Sequence, residues 1–417
     1  MILLKRAYKM EISITDEQRI IIHQSIGTCR FLYNQFIAHN KELYQNYLEE
    51  KEKLTQQGIS LSRQKELLPK SSMSGYDFDK YVNNELSKKE GFEWIKKCSS
   101  KARKQAIMNA HQAFQSFFKG DKGFPNFKKK NDQDVKLYLP KNNKTDWGYE
   151  RHRIKIPTLG WVQLKEFGYL PKNAKITSGT VSQKANRYFV SVLVEQLEPQ
   201  KDIQLNPEGL GVDLGLKDFA IVSNGMKFGN INKSRQMRRL EKKLKREQRG
   251  LSRKYESLKI RQKEIEKQEG GTVTKCNLNK QILNIQKLHL KLTNLRESYR
   301  QSVAVELAKT KPAYITIEKL NVKGMMKNKH LSKAISQQGF YDFKMKLLNQ
   351  CKKYKIELRE VSMWYPSSKT CHSCGHIYKD LKLKDRVFHC PVCGYEEDRD
   401  KNASYNLRDA IEYTILT

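Results

Sequence analysis

Apolar and polar residues repeat with two different periods along this chain, and the changes of period divide it. Residues 1 to 12, MILLKRAYKMEI, form a strand-like run, and Thr15, followed by Asp16 and Glu17, opens a helical pattern through Ile20, Ile26, Leu32, Phe36 and Ile37. Between Lys41 and Gly91 the chain is polar with sparse leucines; from Ser100 to Phe118 a second helix sets Ala102, Ala106, Ala110, Ala113 and Phe117 on one side. Together they predict a small helical domain, in which His111 is a packing or hydrogen-bonding residue and nothing is catalytic.

After the turn Gly123-Phe124-Pro125-Asn126-Phe127 the period becomes strand-like: KLYLP, RIKIP, WVQLK and the run from Arg187 to Gln196. Pro140, Pro157 and the polar turns Asn142-Asn143 and Ser178-Gly179 end these strands, which predicts a β-barrel or sandwich. Its first strand could come from residues 1 to 12, making the helical domain an insertion. Pro199 to Pro207 reads as a linker.

The second half begins with an apolar strand, Leu210 to Leu216, that carries Asp213 in its middle. A carboxylate there costs several kcal/mol to desolvate unless a metal or partner offsets it. Ala220-Ile221-Val222 and Met226-Lys227-Phe228 flank Asn224-Gly225 as a meander. Leucines and isoleucines at helical spacing from Leu240 to Ile265 and from Leu278 to Leu295 predict a helical hairpin, broken at Gly270-Gly271, with a strongly basic face. A fourth strand, Tyr314 to Ile317, ends in Glu318; Asn321 and Gly324 break the chain, and a mobile polar stretch runs to Lys333. A helix from Phe340 to Tyr354 and a strand from Lys355 to Val361 follow, and Asp400 starts a last helix with Ala403, Leu407, Ala410 and Ile411 as its apolar face.

Charge narrows the partners. The 417 residues carry 80 Lys and Arg against 45 Asp and Glu, a net +35 spread over most segments, which points to a polyanion and so to nucleic acid. No apolar run approaches the roughly 20 residues needed to span a bilayer; a soluble, cytoplasmic protein is expected.

Two groups of residues carry chemistry. Cys371, Cys374, Cys390 and Cys393 are spaced C-x2-C-x15-C-x2-C, each pair followed by Gly, which is the signature of a structural zinc ribbon. Four thiolates close the tetrahedron, leaving His372, His376 and His389 as surface or nucleic-acid-contacting residues. Cys29, Cys98, Cys276 and Cys351 are scattered singly, which argues against disulfides. The second group is acidic. Three strands, helices, strand, helix, strand, helix, with acids on the first strand, at the end of the fourth and at the last helix, is a ribonuclease-H-like order. There Asp213, Glu318 and Asp400 would hold two Mg²⁺ ions about 4 Å apart that clamp the attacking and leaving oxygens of a phosphodiester.

Over almost its full length the chain resembles the TnpB family of transposon-encoded, RNA-guided nucleases, relatives of the miniature type V CRISPR effectors. The matching stretches are GTCRFLYN (27–34), FPNFKKK (124–130), GVDLGLKDFAI (211–221), ITIEKLNVKG (315–324), YPSSKTCHSCG (365–375) and CGYEEDRDKNASYNL (393–407). The family pattern puts its RuvC acids on Asp213, Glu318 and Asp400, with Asp398 the ambiguous neighbour. The resemblance implies an α+β multidomain chain. A wedge β domain (1–13 and 123–203) would hold an inserted helical recognition domain (14–122). A RuvC-like nuclease domain (204–370 and 394–417, with the hairpin at 233–310) would hold a zinc ribbon (371–393). It also implies a guide RNA from the transposon end, a double-stranded DNA target beside a short flanking motif, and one RuvC site that cuts both strands. An RNA-guided DNA-binding regulator without cleavage, and a transposase proper, are the competing readings.

Overall fold

The computed structural model describes residues 2–130, 135–141, 147–198, 203–267, 274–382 and 384–416. The expected turn at Asn142-Asn143, the break at Gly270-Gly271 and the first part of the expected linker lie outside the described residues. The chain divides into two compact units, Met1–Gln200 and Lys201–Thr417. Among the described residues no helix is long and apolar enough to cross a membrane.

In the first unit, β1 (Ile2–Ser13) leads into α1 (Asp16–Gln56), α2 (Leu61–Leu67), α3 (Gly75–Asn84) and α4 (Ser100–Phe118). Thr15 caps α1 in a reciprocal box with Gln18, as a Thr three residues before a Gln favours. The stretch from Lys41, read as merely polar, continues α1 to Gln56, because helix formers outnumber breakers there and the sparse Leu54 still reaches the core. Leu32, Phe36 and Ile37 of α1 pack on Ile107, Ala110 and Phe114 of α4 and on Phe78 and Val82 of α3. The chain then forms β2 (Val135–Pro140), β3 (Gly148–Tyr149), β4 (Arg153–Ile156), β5 (Gly160–Leu164), β6 (Lys175–Lys184) and β7 (Arg187–Glu198).

These strands make one antiparallel sheet in the order β2-β6-β7-β1-β5-β4-β3. A closed barrel or a sandwich was expected. Among the described residues the edges of this order are β2 and a β3 of two residues, with no pairing between them. β1 pairs with β7 along most of its length and then with β5, through Ile12↔Leu164. Ser178-Gly179, expected as a turn, lies inside β6, beside a register shift between Ile176 and Ser178. The indole of Trp147 fills the space where a Cβ at Gly179 would sit, 2.2 Å from the nearest ring atom. The glycine marks close packing within a strand rather than a reversal.

In the second unit, β8 (Leu210–Leu214), β9 (Asp218–Val222) and β10 (Lys227–Gly229) form an antiparallel meander. The helices α5 (Arg235–Lys267) and α6 (Cys276–Lys309) follow and pack through Met237, Leu244, Ile285, Leu288 and Leu292. Next come β11 (Tyr314–Glu318), α7 (Val322–Met325), α8 (Ser332–Gln338), α9 (Phe340–Tyr354) and β12 (Glu357–Val361). Asn321 does not break the chain: its side chain accepts the Gly324 amide and caps α7. Lys355, expected in a strand, adopts φ +59° at the end of α9. The chain closes with a hairpin of β13 (Val387–His389) and β14 (Glu396–Asp398), then α10 (Arg399–Arg408) and β15 (Thr414–Leu416). Ile411, expected on the helix's apolar face, lies beyond α10 and is 91 % exposed.

The sheet order is β10-β9-β8-β11-β12-β15, with β8, β11 and β12 parallel and β15 antiparallel to β12. Alternation along the parallel strands sorts their side chains. Leu210, Val212, Leu214, Ile315, Ile317 and Leu358 join the core made with α6 and α9. Gly211, Asp213, Thr316, Glu318 and Val361 fall on the opposite face, which α10 covers through Leu407, with Ala410, expected within the helix but just beyond its end, packed beside it.

Candidate active site

Asp213 shares the α10-facing side of β8 with Gly211, and Gly211 sets how near that helix comes. A Cβ at Gly211 would lie 1.9 Å from the Ser404 carbonyl oxygen and 2.4 Å from the Arg408 amide nitrogen, so only glycine admits the helix backbone at this distance. On β11 the pairs Thr316↔Gly211 and Ile317↔Val212 bring Glu318 level with Asp213 at the next position. The start of α10 supplies the third carboxylate. Asp398 is the N-cap, its side chain accepting from the amides of Asp400 (3.0 Å) and Lys401 (3.1 Å), which leaves Asp400 in the first turn.

Asp213, Glu318 and Asp400 line one pocket of about 400 Å³, together with Lys217, Ser367, Arg386 and Arg399. Burial, then the charges of Glu318 and Asp400, push the Asp213 carboxyl well above the usual range. Burial also raises Glu318, against which the Ser367 hydroxyl, donating a hydrogen bond to its carboxylate, acts in the lowering direction. Cations reach the third acid: Arg399 Nη2 lies 2.7 Å and Arg386 Nη1 3.9 Å from Asp400 carboxylate oxygens. The arrangement is a cleft whose carboxylates are costly to ionise together without a cation among them. Hard oxygen donors of this kind suit Mg²⁺.

Two buried asparagines of α10 hold the neighbouring loop in place. Asn406 Nδ2 donates to the carbonyls of Ser367 and Thr370, each at 2.7 Å; Asn402 Nδ2 donates to Thr370 at 2.8 Å, and its Oδ1 accepts the His372 amide at 3.1 Å. These bonds fix Ser367 beside Glu318 and tie the first cysteine knuckle to the helix that carries Asp400.

The sulfurs of Cys371, Cys374, Cys390 and Cys393 all lie within 4.8 Å of one another, with 3.6 Å between Cys371 and Cys393 and between Cys374 and Cys390. Tetrahedral zinc with bonds of about 2.3 Å would place sulfurs roughly 3.8 Å apart, so the donor set fits. Gly375 and Gly394, at φ +75° and +70°, turn each knuckle back on itself, and their amides bond to the carbonyls of Cys371 and Cys390. The side chains of His372 and His389 lie instead near Asp409 and Glu396. The cysteine hairpin continues through β14 into Asp398, so it delivers the cap of the helix bearing Asp400.

Residues 340–407, which hold both the cysteines and α10, match the family described as "Cas12f1-like, TNB domain". Residues 190–329 match the one described as "Probable transposase", and residues 1–49 match "Helix-turn-helix domain". The RNA-guided DNA endonuclease InsQ of Escherichia coli K12, a provisional name, is 25 % identical over 96 % of this chain and 91 % of its own length. A Streptomyces pristinaespiralis protein with the same provisional description is 26 % identical over 97 % of this chain and 88 % of its own. The chain belongs to the TnpB family. Its fold is that of the Cas12f1 chain solved by cryo-EM with sgRNA and target DNA, at TM-score 0.51 and 15 % identity over 99 % of this chain and 100 % of the other. In this TnpB-family chain residues 1–49 fold as β1 and the first part of one long helix, so the helix-turn-helix description does not fit their structure.

The structure brings together the three acids and, separately, the four cysteines that the sequence singles out; Ser367, Arg386, Arg399, Asn402 and Asn406 beside them are not singled out by the sequence. The asparagines had a signal: Asn402 and Asn406 stand four apart on a helix whose apolar positions are few, which would aim both at one neighbour.

Proposed function

We propose that this protein is an RNA-guided, Mg²⁺-dependent DNA endonuclease of a transposable element, hydrolysing guide-matched double-stranded DNA with a single RuvC-like site. The observation that carries the reading is the cleft in which Asp213, Glu318 and Asp400 face one another across β8, β11 and α10. Asp213, Glu318 and Asp400 would hold the divalent cations, which when bound activate water and neutralise the charge that develops on the phosphodiester oxygens. Glu318 is oriented by Ser367, and Asp213 is fixed by the rigidity of a central strand. Arg386 and Arg399, which line the same cleft, can pair with a phosphate as readily as with Asp400.

The four cysteines would take structural zinc, whose binding orders the hairpin that ends at the α10 cap. The first unit, with its sheet and the helices between β1 and β2, would supply the recognition part (14–122) and all but the last three residues of the wedge part (1–13, 123–203). The second supplies the nuclease part (204–370, 394–417) around the zinc ribbon (371–393). A chain of net charge +35 can hold a guide RNA, copied from the transposon end, and its DNA heteroduplex by shape and charge while base pairing reads the sequence.

The test is plasmid cleavage by protein co-expressed with the DNA flanking its own gene, against a library of sequences beside the guide-matched target, with and without Mg²⁺. Guide- and metal-dependent double-strand breaks are expected. Guide-dependent binding without breaks would overturn the endonuclease reading in favour of a DNA-binding regulator.

A further inference from the structure

The chain leaves the sheet at Val361 and returns to the same carboxylate six residues later. Val361, the last residue of β12, is in register with Glu318, and Ser367 donates its hydroxyl to the Glu318 carboxylate. Between these anchors the backbone is held by its own bonds. The Tyr365 amide donates to the Ser362 carbonyl (3.1 Å), the Ser367 amide to the Tyr365 carbonyl (2.9 Å), and the Trp364 amide to Ser362 Oγ (3.3 Å). The Tyr365 hydroxyl reaches the Asn406 carbonyl at 3.0 Å and ties the loop to α10. On top of this fixed backbone stands Trp364, 84 % exposed. Tryptophan is among the side chains that gain most from burial, so one held in water on a pinned loop presents its ring for stacking without first having to order the backbone.

We infer that Trp364 is a stacking platform for a nucleobase of the DNA strand lying in the carboxylate cleft, and that it positions the scissile phosphate against Asp213, Glu318 and Asp400. The inference rests on the endonuclease reading above. Trp364 stands three positions from either anchor, a reach of about 10 Å at most, which corresponds to roughly three stacked nucleotides. A base that close to the cut is therefore within its range. The indole offers a flat π face that accepts any base, which suits a site whose sequence is read elsewhere by pairing. Exposed Lys319, whose amide donates to the Val361 carbonyl at 3.1 Å, places a cation at the same end of the sheet for the backbone of such a strand.

The experiment uses the full-length protein purified with its guide RNA, and guide-matched duplexes carrying a single abasic site stepped along the cleaved strand around the cut. Trp364→Ala should slow cleavage of the intact duplex about tenfold, and Trp364→Phe should restore most of it. In the wild type, an abasic site at one position next to the cut should cause a similar loss. In Trp364→Ala that same abasic site should cause no further loss, because the two changes remove one contact. Trp364→Ala at the wild-type rate, or an abasic profile identical in both proteins, would overturn the inference. So would a loss in Trp364→Ala that is uniform over all abasic positions and not rescued by Phe, which is the behaviour of a damaged loop. Tryptophan emission separates this failure from failure of the endonuclease reading. If no duplex is cut but bound duplex quenches the wild type and not Trp364→Phe, stacking stands and the endonuclease reading falls.

Discussion

Glu11 and Asp213 are both carboxylates near the C-terminal end of a β-strand, β1 and β8, and the protein treats them in opposite ways. Glu11 is 4 % exposed, and burial alone would raise its pKa. Hydrogen bonds and charge from Arg187 and Lys165 more than offset this and hold it below the usual value; Lys165 Nζ lies 2.6 Å and Arg187 Nε 2.9 Å from Oε1. Asp213 is pushed up by burial and then by Glu318 and Asp400, where Glu11 meets two cations at hydrogen-bond distance; Arg399 acts on it in the lowering direction without reversing the shift. The first acid is completed by its own chain and reads as structure. The second keeps a net raising influence from burial and its acidic neighbours despite the cations in the cleft, which is the condition in which a bound metal ion contributes most. Burial of a carboxylate thus says little by itself; the sign of its neighbours says what it is for.

Replacing each acid with its amide is the strongest way to break that contrast. Asp213→Asn should lower cleavage by about a thousandfold or more if Asp213 is a cation ligand as proposed. The same substitution should raise the melting temperature in EDTA. The sign follows from linkage. A carboxyl whose folded pKa lies above its unfolded value of 3.8 loses stability as pH rises through the folded value, so at neutral pH the metal-free wild type carries a penalty that the amide lacks. Added Mg²⁺ should stabilise the wild type and not the variant. An Asp213→Asn protein that melts below the wild type in EDTA at neutral pH would show that Asp213 is compensated after all.

The contrast can also be attacked without touching a charge. Gly211→Ala inserts a methyl where the Ser404 carbonyl oxygen is 1.9 Å away, so α10 must move off β8 and carry Asp400 with it. Overpacking of this kind costs about 1–3 kcal/mol. A shift of about 1 Å in one of three converging carboxylates is enough for a cleavage loss on the order of a hundredfold. Measured together, chemical denaturation and cleavage should both fall, with target binding retained. Unchanged cleavage would mean that the cleft tolerates displacement of its third acid.

Much of this geometry could be read in the sequence because it depends on local periodicity. The runs around Asp213 and Glu318 and the start of the last helix are strand and helix patterns that put their acids at definite places, and the structure sets those acids around one cleft. Asp398 and Asp400 could not be told apart by spacing; cap geometry separates them, since Asp398 spends its side chain on two helix amides. β6 was missed because Ser178-Gly179 has turn composition, and the partner that explains the glycine, Trp147, is distant in sequence. The spacing of Asn402 and Asn406 puts them on one face, but their partners, Ser367, Thr370 and His372, lie 30 or more residues away, and no local rule names partners at that range.

From the side of the compensated acid, Glu11→Gln should leave cleavage per folded molecule unchanged while lowering stability by about 1–2 kcal/mol, the scale of hydrogen bonds to a charged group. Arg187 and Lys165 are about half exposed and can rehydrate, which keeps the cost at this level. The depressed folded pKa makes the difference one-sided. It should be present above the unfolded value of 4.5 and should close as pH falls through the folded value, where the wild type also loses its charge. A denaturation series against pH reads this directly, and a difference that persists at low pH would assign the loss to packing instead.

Ser367→Ala sharpens the comparison most finely, because Ser367 provides Glu318 with a small share of what Arg187 and Lys165 provide Glu11. Its hydroxyl favours the ionised carboxylate, so removing it lets burial raise Glu318 further. Cation binding needs the ionised form, and the acid limb of the cleavage profile should therefore move to higher pH. The loss should be about tenfold at the acid end, the scale of one hydrogen bond to a charge, and should vanish on the alkaline side, where Glu318 ionises with or without help. Excess Mg²⁺ should pull the limb back, since metal and proton compete for the same oxygens. A loss that is equal at every pH would mean that Ser367 acts by holding the loop in place, and that Glu318 draws its charge stabilisation from elsewhere in the cleft.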